Sequence, residues 1–379
     1  MPVSSSYPNY FDGNETGAPS LNNVAGSVIE VLRACAVNGF NPRTVTSIDV
    51  ASGVATATAA SHGYSAAFGK LILIEGAPEA LLNGRHQPLS VTTNTFTFDA
   101  TGVADGTYTG TISAKRAPLG WEVAHINGAG TTAIFRRPAL EASASMLRVV
   151  DTMTTPAATT YALASMVETA TDADTVTGEA STVTAERVWM RGENNATAKR
   201  WVIAGNSLRA WILLQGSSSS HAAIVPYFYG DPSPLYVADA GRCLLATFGS
   251  TSVTANGGFG NIAPQSFALS AGVAYLRFQR TFDGLTVGVQ AALCGGGSWG
   301  QGLAVAGAST PVAVVGDYYL KTPTEIRARL PELYLPQANA PFTDRTVYSI
   351  GGRQLLAITI NIGNTTLGQM MLDLATPWE

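Results

Sequence analysis

Apolar and polar positions along this chain change period once near the N-terminus and then stay short. Residues 1–19 are polar and carry Pro2, Pro8, Gly13, Gly17 and Pro19. That composition predicts an extended arm, ordered only where it packs on something. Leu21, Val24, Val28, Leu32 and Cys35 then recur at three- and four-residue steps, the spacing of one face of a helix over 21–37. Ser20 is the expected N-cap and Asn38-Gly39 the stop. From Val45 the period falls to two. Short Val/Thr/Ile runs alternate with Gly, Ser and Asn breaks, which predicts strands at 45–50, 54–57, 71–74, 89–91, 95–98 and 108–112. Asn83-Gly84 reads as a hairpin turn. Residues 116–120, with Pro118, read as a linker.

Beyond the linker the alternation continues. Strands are expected at 121–126, 132–136, 146–151, 187–190, 200–204, 208–214, 223–229, 243–248, 274–280, 287–293, 312–319, 332–335, 346–350, 355–360 and 369–373. Residues 165–186 are rich in Ala, Thr and Asp and are expected to form a long loop with a short helical turn. Many short strands with Gly, Pro, Asn and Ser between them point to a β-sandwich or a related fold. The expected architecture is therefore mainly β. An arm and amphipathic helix occupy 1–43, a small antiparallel β-module 44–115, and a larger β-sandwich-like domain 116–379.

Composition sharpens this picture. Of 379 residues only 13% are charged, against about 25% in an average globular protein. The net charge is −4 and 46% of residues are hydrophobic, so this is not a disordered composition. A surface so poor in charge hints at burial against partners. With 22 Lys and Arg, densest only around 345–353, the chain lacks the clustered cations that neutralise phosphates, so no nucleic-acid partner is expected. Cys35, Cys243 and Cys294 lie far apart without CxxC spacing and read as free buried thiols. The opening MPVSSSYPNYFDG has neither a positive region nor an apolar run. The expectation is a chain without a secretory leader, folded in a reducing cytosol. No 18-residue apolar run predicts a membrane-spanning helix.

Candidate chemistry is sparse. Residues 295–300, GGGSWG, match GxGxxG, and Asp317 lies where a ribose-binding acid would stand. The following residues are Gly- and Pro-broken and strand-like, whereas the dinucleotide fingerprint must open a helix, so a glycine loop is expected. His62, His86, His125 and His221 show no metal-ligand spacing. Asp172-Ala173-Asp174, with Glu168 and Glu179 near, lacks the calcium-loop pattern and reads as a solvated turn. Tyr227, Phe228 and Tyr229 form either a sugar-stacking platform or core. Simple alternation would bury Phe228 and expose its neighbours, or the reverse. There is no GxSxG elbow. No catalytic, cofactor-binding or metal-binding residue is nominated, and no cofactor is expected.

One set of segments speaks to function. His62-Gly63, the run 71–76 ending in Glu75-Gly76, Leu82-Asn83-Gly84 and the Val/Thr/Phe run 91–98 resemble an FCCH-like β-module. Leu119-Gly120-Trp121-Glu122, Ala133-Ile134-Phe135-Arg136 and Arg148-Val149-Val150-Asp151 follow in order, then more loosely 168–178. Residues 329–336, RLPELYLP, and 372–378, LDLATPW, close the series. Together they resemble a family of tailed-bacteriophage virion structural proteins, found in the tail. The resemblance implies a non-enzymatic virion subunit of the tail or baseplate. Its partners would be copies of itself and other phage virion proteins. The rivals are a head decoration or collar protein, and a tail component that binds a host surface glycan. The arm and the segments 165–186 and 294–302 are the expected inter-subunit contacts.

Overall fold

A computed structural model describes residues 2–153, 160–192, 197–215, 224–236, 238–248, 274–295, 303–305, 312–316, 318–336, 341–363 and 366–379. The chain is mainly β, with several sheets, one of them large and curled, and, among the described residues, one short α-helix.

The small module is two sheets. Phe40–Val45, Ile112–Arg116, Ile72–Glu75 and Gly84–His86 form a four-stranded sheet in that order. Pro88–Val91, Thr95–Asp99, Val54–Thr58, Ser47–Ala51 and Gly106–Tyr108 form a five-stranded one. Alternate residues from both, Val45, Ile48, Ile72, Ile74, Phe96, Phe98 and Ile112 among them, meet in one core. The expected strand 45–50 is in fact two. The ladder passes from one sheet to the other at Thr46, so a single Val/Thr run serves both layers. The expected strand 108–112 is likewise broken, at Gly110, whose φ of +150 interrupts the ladder. Asn83-Gly84 is not a two-residue hairpin. Asn83 Oδ1 accepts from Ala77 N at 2.9 Å and its Nδ2 donates to Ala77 O at 2.8 Å, so the side chain closes a longer loop.

The larger domain is built around a sheet with no solvent face. Asn9–Asp12, Trp201–Gly205, Arg209–Gln215, Ile224–Gly230 and Leu244–Phe248 pair in that order, all antiparallel. Phe11, Trp201, Ile203, Ile212, Leu214, Tyr227 and Tyr229 join one core. Tyr10, Val202, Ala204, Trp211, Leu213 and Phe228 join another on the opposite face. The first core is completed by the helix and by the hairpin series Glu122–Ile126, Thr132–Arg136, Met146–Val150 and Thr160–Val167. The second is completed by strands from Ala274–Arg280 to Thr366–Asp373 and by Trp378. Three layers thus enclose two cores, which explains why 209–215 reads RAWILLQ without alternation. Within the third layer the expected strand 312–319 divides into Val312–Val315 and Tyr318–Lys321, which pair with different neighbours.

The helix is shorter than its pattern. The α-helix is Ser27–Leu32, followed by a π-helix Arg33–Asn38. Ser20 does not cap it. Leu21 is instead bridged to Lys199 as isolated β-structure. Gly26, at φ +86, is the residue before the helix, and the Asp151 carboxylate accepts from Val28 N at 3.0 Å across 123 positions of sequence. Val28, Leu32 and Cys35 are buried as the spacing predicts, but Val24 lies ahead of the helix and is 60% exposed. The widened π-turn has a use. Cys35 O accepts from Leu119 N, and Ala36 O from both Gly120 N and Trp121 N, at 2.9–3.0 Å. The helix end is thereby tied to the linker, and the chain leaves it at Gly39, where a Cβ would stand 2.3 Å from Arg116 O.

Candidate functional site: the arm junction and the buried ion pairs

The arm is not a free extension. Its residues Asn9–Asp12 are a strand of the central sheet, in register Asn9↔Gly205 to Asp12↔Val202. Tyr10 and Phe11 point to opposite faces and are 2% and 0% exposed. On the other edge the strand meets the small module. Tyr10 N donates to Gly69 O at 2.9 Å, and Arg116 Nη2 donates to Tyr10 O at 2.7 Å. Further out, Val3 N donates to Arg85 O, and Ser6 O accepts from Trp378 N at 3.0 Å. The arm therefore cements three pieces: the module, the central sheet and the C-terminal segment. Residues 8–12 are buried within this chain, while most of the arm on either side of them is exposed or half-buried. Packing Phe11 against Phe40, at 5.9 Å between ring centroids, gives the arm a core of its own chain to bury.

The junction holds a cluster of charges. Lys70 Nζ lies 2.7 Å from Asp12 Oδ2 and 2.9 Å from Glu15 Oε1. Arg116 Nε lies 2.6 Å from Glu15 Oε2, and its guanidinium sits over the Phe11 ring. Arg345 reaches Asp12 Oδ1 at 3.8 Å and Asp344 at 3.1 Å. Burial alone would raise the Asp12 carboxyl, but the charge and hydrogen bond of Lys70, with the Asn14 N–H and Arg345, together hold it below the usual range. A polar cleft of about 430 Å³, lined by Asp12, Asn14, Glu15, Thr16, Lys70 and Arg345 among others, opens beside the cluster.

Several of the few charges this chain carries are buried as ion pairs. Arg191–Asp151 at 2.7 Å, Arg137–Asp231 at 2.8 Å and Arg209–Glu332 at 3.3 Å are all buried ion pairs. Arg327 holds Asp239 by both ends of its guanidinium, with Nε to Oδ2 at 2.8 Å, and both side chains are fully buried. Each pair joins segments far apart in sequence, so no local motif announces it. The one trace in the sequence is an isolated charge within an apolar stretch, such as Arg209 before AWILL or Lys70 before LILI.

Tyr227, Phe228 and Tyr229 are all buried, because the strand is covered on both faces. His62 is a module core residue whose ring stacks on Tyr64 at 5.0 Å and whose Nδ1 accepts from Tyr64 N at 2.9 Å. His86 packs on Phe98 at 4.4 Å, and burial pushes it down to about 4. His125 lies half-buried on the strand Glu122–Ile126. Asp172 closes its own turn, its Oδ1 accepting from Asp174 N at 2.8 Å and Thr175 N at 2.7 Å. Around it, 165–186 contains the end of Thr160–Val167, a two-stranded ribbon of Thr169–Ala170 and Val176–Thr177, and a 3₁₀ turn Thr184–Glu186. Cys35 and Cys243 are free and buried, and burial raises both thiols, Cys243 to about 11. His221, Asp317 and most of 294–302 lie outside the described residues. Among the described residues no group of His, Cys, Asp or Glu is arranged to hold a metal ion, and no helix is long and apolar enough to cross a membrane.

One surface stands out for its apolar character. Leu235, Tyr236, Phe282, Leu285 and Ile326 are each at least 39% exposed. The Tyr236 and Phe282 rings touch edge to face at 5.4 Å, and Leu235 N is bonded to Arg327 O, next to Ile326. Scattered exposed apolar residues need no explanation, but a converging set does. No protein-family description matches the chain, and no curated protein matches it.

Proposed function

We propose that this chain is a non-enzymatic structural subunit of a tailed-bacteriophage virion, placed in the tail or baseplate. The observation that carries the reading is the ordered set of motifs from His62 to Trp378 and the positions they take. Trp121, Asp151, Glu332 and Trp378 are buried joints of the fold rather than members of an open cleft. Trp121 Nε1 donates to Asn206 O at 3.0 Å, and Trp378 Nε1 to Asp373 O at 2.7 Å. Motifs that form joints suit a part whose work is to hold shape. The apolar cluster at Leu235, Tyr236 and Phe282 suits a contact with a neighbouring subunit, since assembly interfaces are apolar and depleted of charge at their centres.

The test is mass spectrometry of purified particles of the phage that encodes the chain, followed by antibody labelling on electron micrographs. The expected result is the chain in fixed stoichiometry, with label on the tail. Absence from particles overturns the reading, and label confined to the head overturns its placement. Turnover of host polysaccharide by the purified chain would overturn the claim that it is not an enzyme.

A further inference from the structure

We propose that Lys70 and Asp12 condense into an intramolecular isopeptide bond that staples the N-terminal strand to the small β-module. The geometry is that of a nucleophile, an electrophile and a proton carrier held in one place. Lys70 Nζ is 2.7 Å from Asp12 Oδ2 and 2.9 Å from Glu15 Oε1, with side chains only 8%, 11% and 11% exposed. The Tyr10 ring covers the amine at 4.6 Å from its centroid. All three groups are fixed by backbone. Asp12 belongs to the paired strand, Asp12 N donates to Glu15 Oε1 at 3.0 Å, and Lys70 follows Gly69, whose carbonyl accepts from Tyr10 N. The other carboxylate oxygen, Asp12 Oδ1, accepts from Asn14 N at 2.9 Å and faces Arg345 Nη1 at 3.8 Å. Those donors stand where negative charge would gather in a tetrahedral intermediate.

The step balances without a co-reactant. The resting state is the ion pair, so a proton first passes from Nζ to Asp12 Oδ2 across 2.7 Å, giving a neutral amine and a carboxylic acid. The amine attacks Asp12 Cγ and the Nζ–Cγ bond forms. Glu15, 2.9 Å from Nζ, takes the second Nζ proton and passes it to Oδ2, the Cγ–Oδ2 bond breaks, and one water leaves through the adjoining cleft. Ammonium and carboxylate have become amide and water, with no net proton gained or lost. The charges left behind are already partnered. Glu15 keeps Arg116 at 2.6 Å, and Arg345 keeps Asp344 at 3.1 Å. Loss of the Lys70 and Asp12 charges therefore orphans no neighbour, as loss from a minimal ion-pair network would. Because the ion pair must first surrender a proton, the reaction is slow and needs the folded chain.

This inference does not depend on the virion reading. Its test is the intact mass of the purified full-length chain, fresh and after ageing at neutral pH, with peptide mapping. The expected result is a mass one water below that of the sequence and a branched peptide joining residues 12 and 70. Lys70→Arg and Glu15→Gln should keep the full mass, with circular dichroism confirming the fold. Asp12→Asn should lose ammonia instead of water. An aged wild-type chain of full mass, or a water loss that maps elsewhere, overturns the proposal and leaves Lys70–Asp12 an ion pair only. The wild-type result decides this even if a variant fails to fold.

Discussion

Removing the Phe11 ring is the most direct test of the arm's place in the fold. Phe11 is fully buried on a four-residue strand, its ring 5.9 Å from Phe40 and 5.1 Å from the Arg116 guanidinium. Phe11→Ala removes the ring from a site closed by the central sheet on one side and the module's first strand on another. Such a site has little freedom to collapse, so the cost should be about 3–5 kcal/mol. That is a large part of the roughly 5–15 kcal/mol that holds a typical domain folded. The arm also anchors Trp201, whose Nε1 donates to Pro19 O at 3.0 Å, so tryptophan fluorescence reports on its docking. The assay is chemical unfolding followed by fluorescence and by circular dichroism, with Leu140→Ala as the control. Leu140 is 99% exposed, and its truncation should change stability by less than about 0.5 kcal/mol. If Phe11→Ala unfolds at the same denaturant concentration as Leu140→Ala, the arm is not the strand described above. Deleting residues 1–19 should then leave the β-layers intact, which this structure says it will not.

Three further outcomes are expected. Val28→Asp places a carboxylate in a fully buried site whose backbone N–H already binds the Asp151 carboxylate at 3.0 Å, so soluble yield should collapse; a variant that melts like the parent refutes the helix register. Burial depresses His86 in the folded state to about 4, so its neutral form stabilises the fold fully above pH 6.5 and this contribution, about 3 kcal/mol by linkage, is lost as pH falls towards 4; His86→Gln should flatten that part of the acid-stability curve, and an unchanged curve refutes it. Arg327→Met leaves the buried Asp239 carboxylate unpaired and should cost about 3–5 kcal/mol, while Arg327→Met with Asp239→Leu should recover most of it, as measured by urea unfolding; equal loss in both refutes an ion-pair role.

The strands and the buried face at Val28, Leu32 and Cys35 were legible because period and Gly breaks are local signals. What the pattern misplaced had distant causes. The helix start depends on Asp151, which lies 123 positions away, so no residue near Ser20 could reveal it. The arm strand NYFD carries only two apolar residues, and they serve opposite faces, so neither periodicity registers. Tyr227 to Tyr229 defied alternation because both faces of their strand are covered, a fact of layering rather than of the strand. The junction of Lys70, Asp12 and Glu15 spans 58 positions between its amine and its first carboxylate, and no motif search would join them.

The burial of ion pairs in a chain so poor in charge has a physical reading that links composition to fold. Strands such as Trp201–Gly205 and Arg209–Gln215 are apolar on both faces. A slip of register in such strands moves one apolar side chain into the place of another, so hydrophobic burial discriminates weakly between alignments. A buried guanidinium discriminates strongly, because a slipped register strands it without its carboxylate. Arg209 opens one central strand and meets Glu332 in the third layer, and Arg137 meets Asp231 just after the strand Ile224–Gly230. Arg191 meets Asp151, which in turn holds the helix. Each pair thus sits where two layers must be aligned. On this hypothesis the pairs add little net stability but fix which of several apolar alignments is adopted. The Arg327→Met/Asp239→Leu variant tests it beyond stability. A chain that regains its melting point but loses its sharp two-dimensional amide spectrum supports the registry role, and one that regains both removes it.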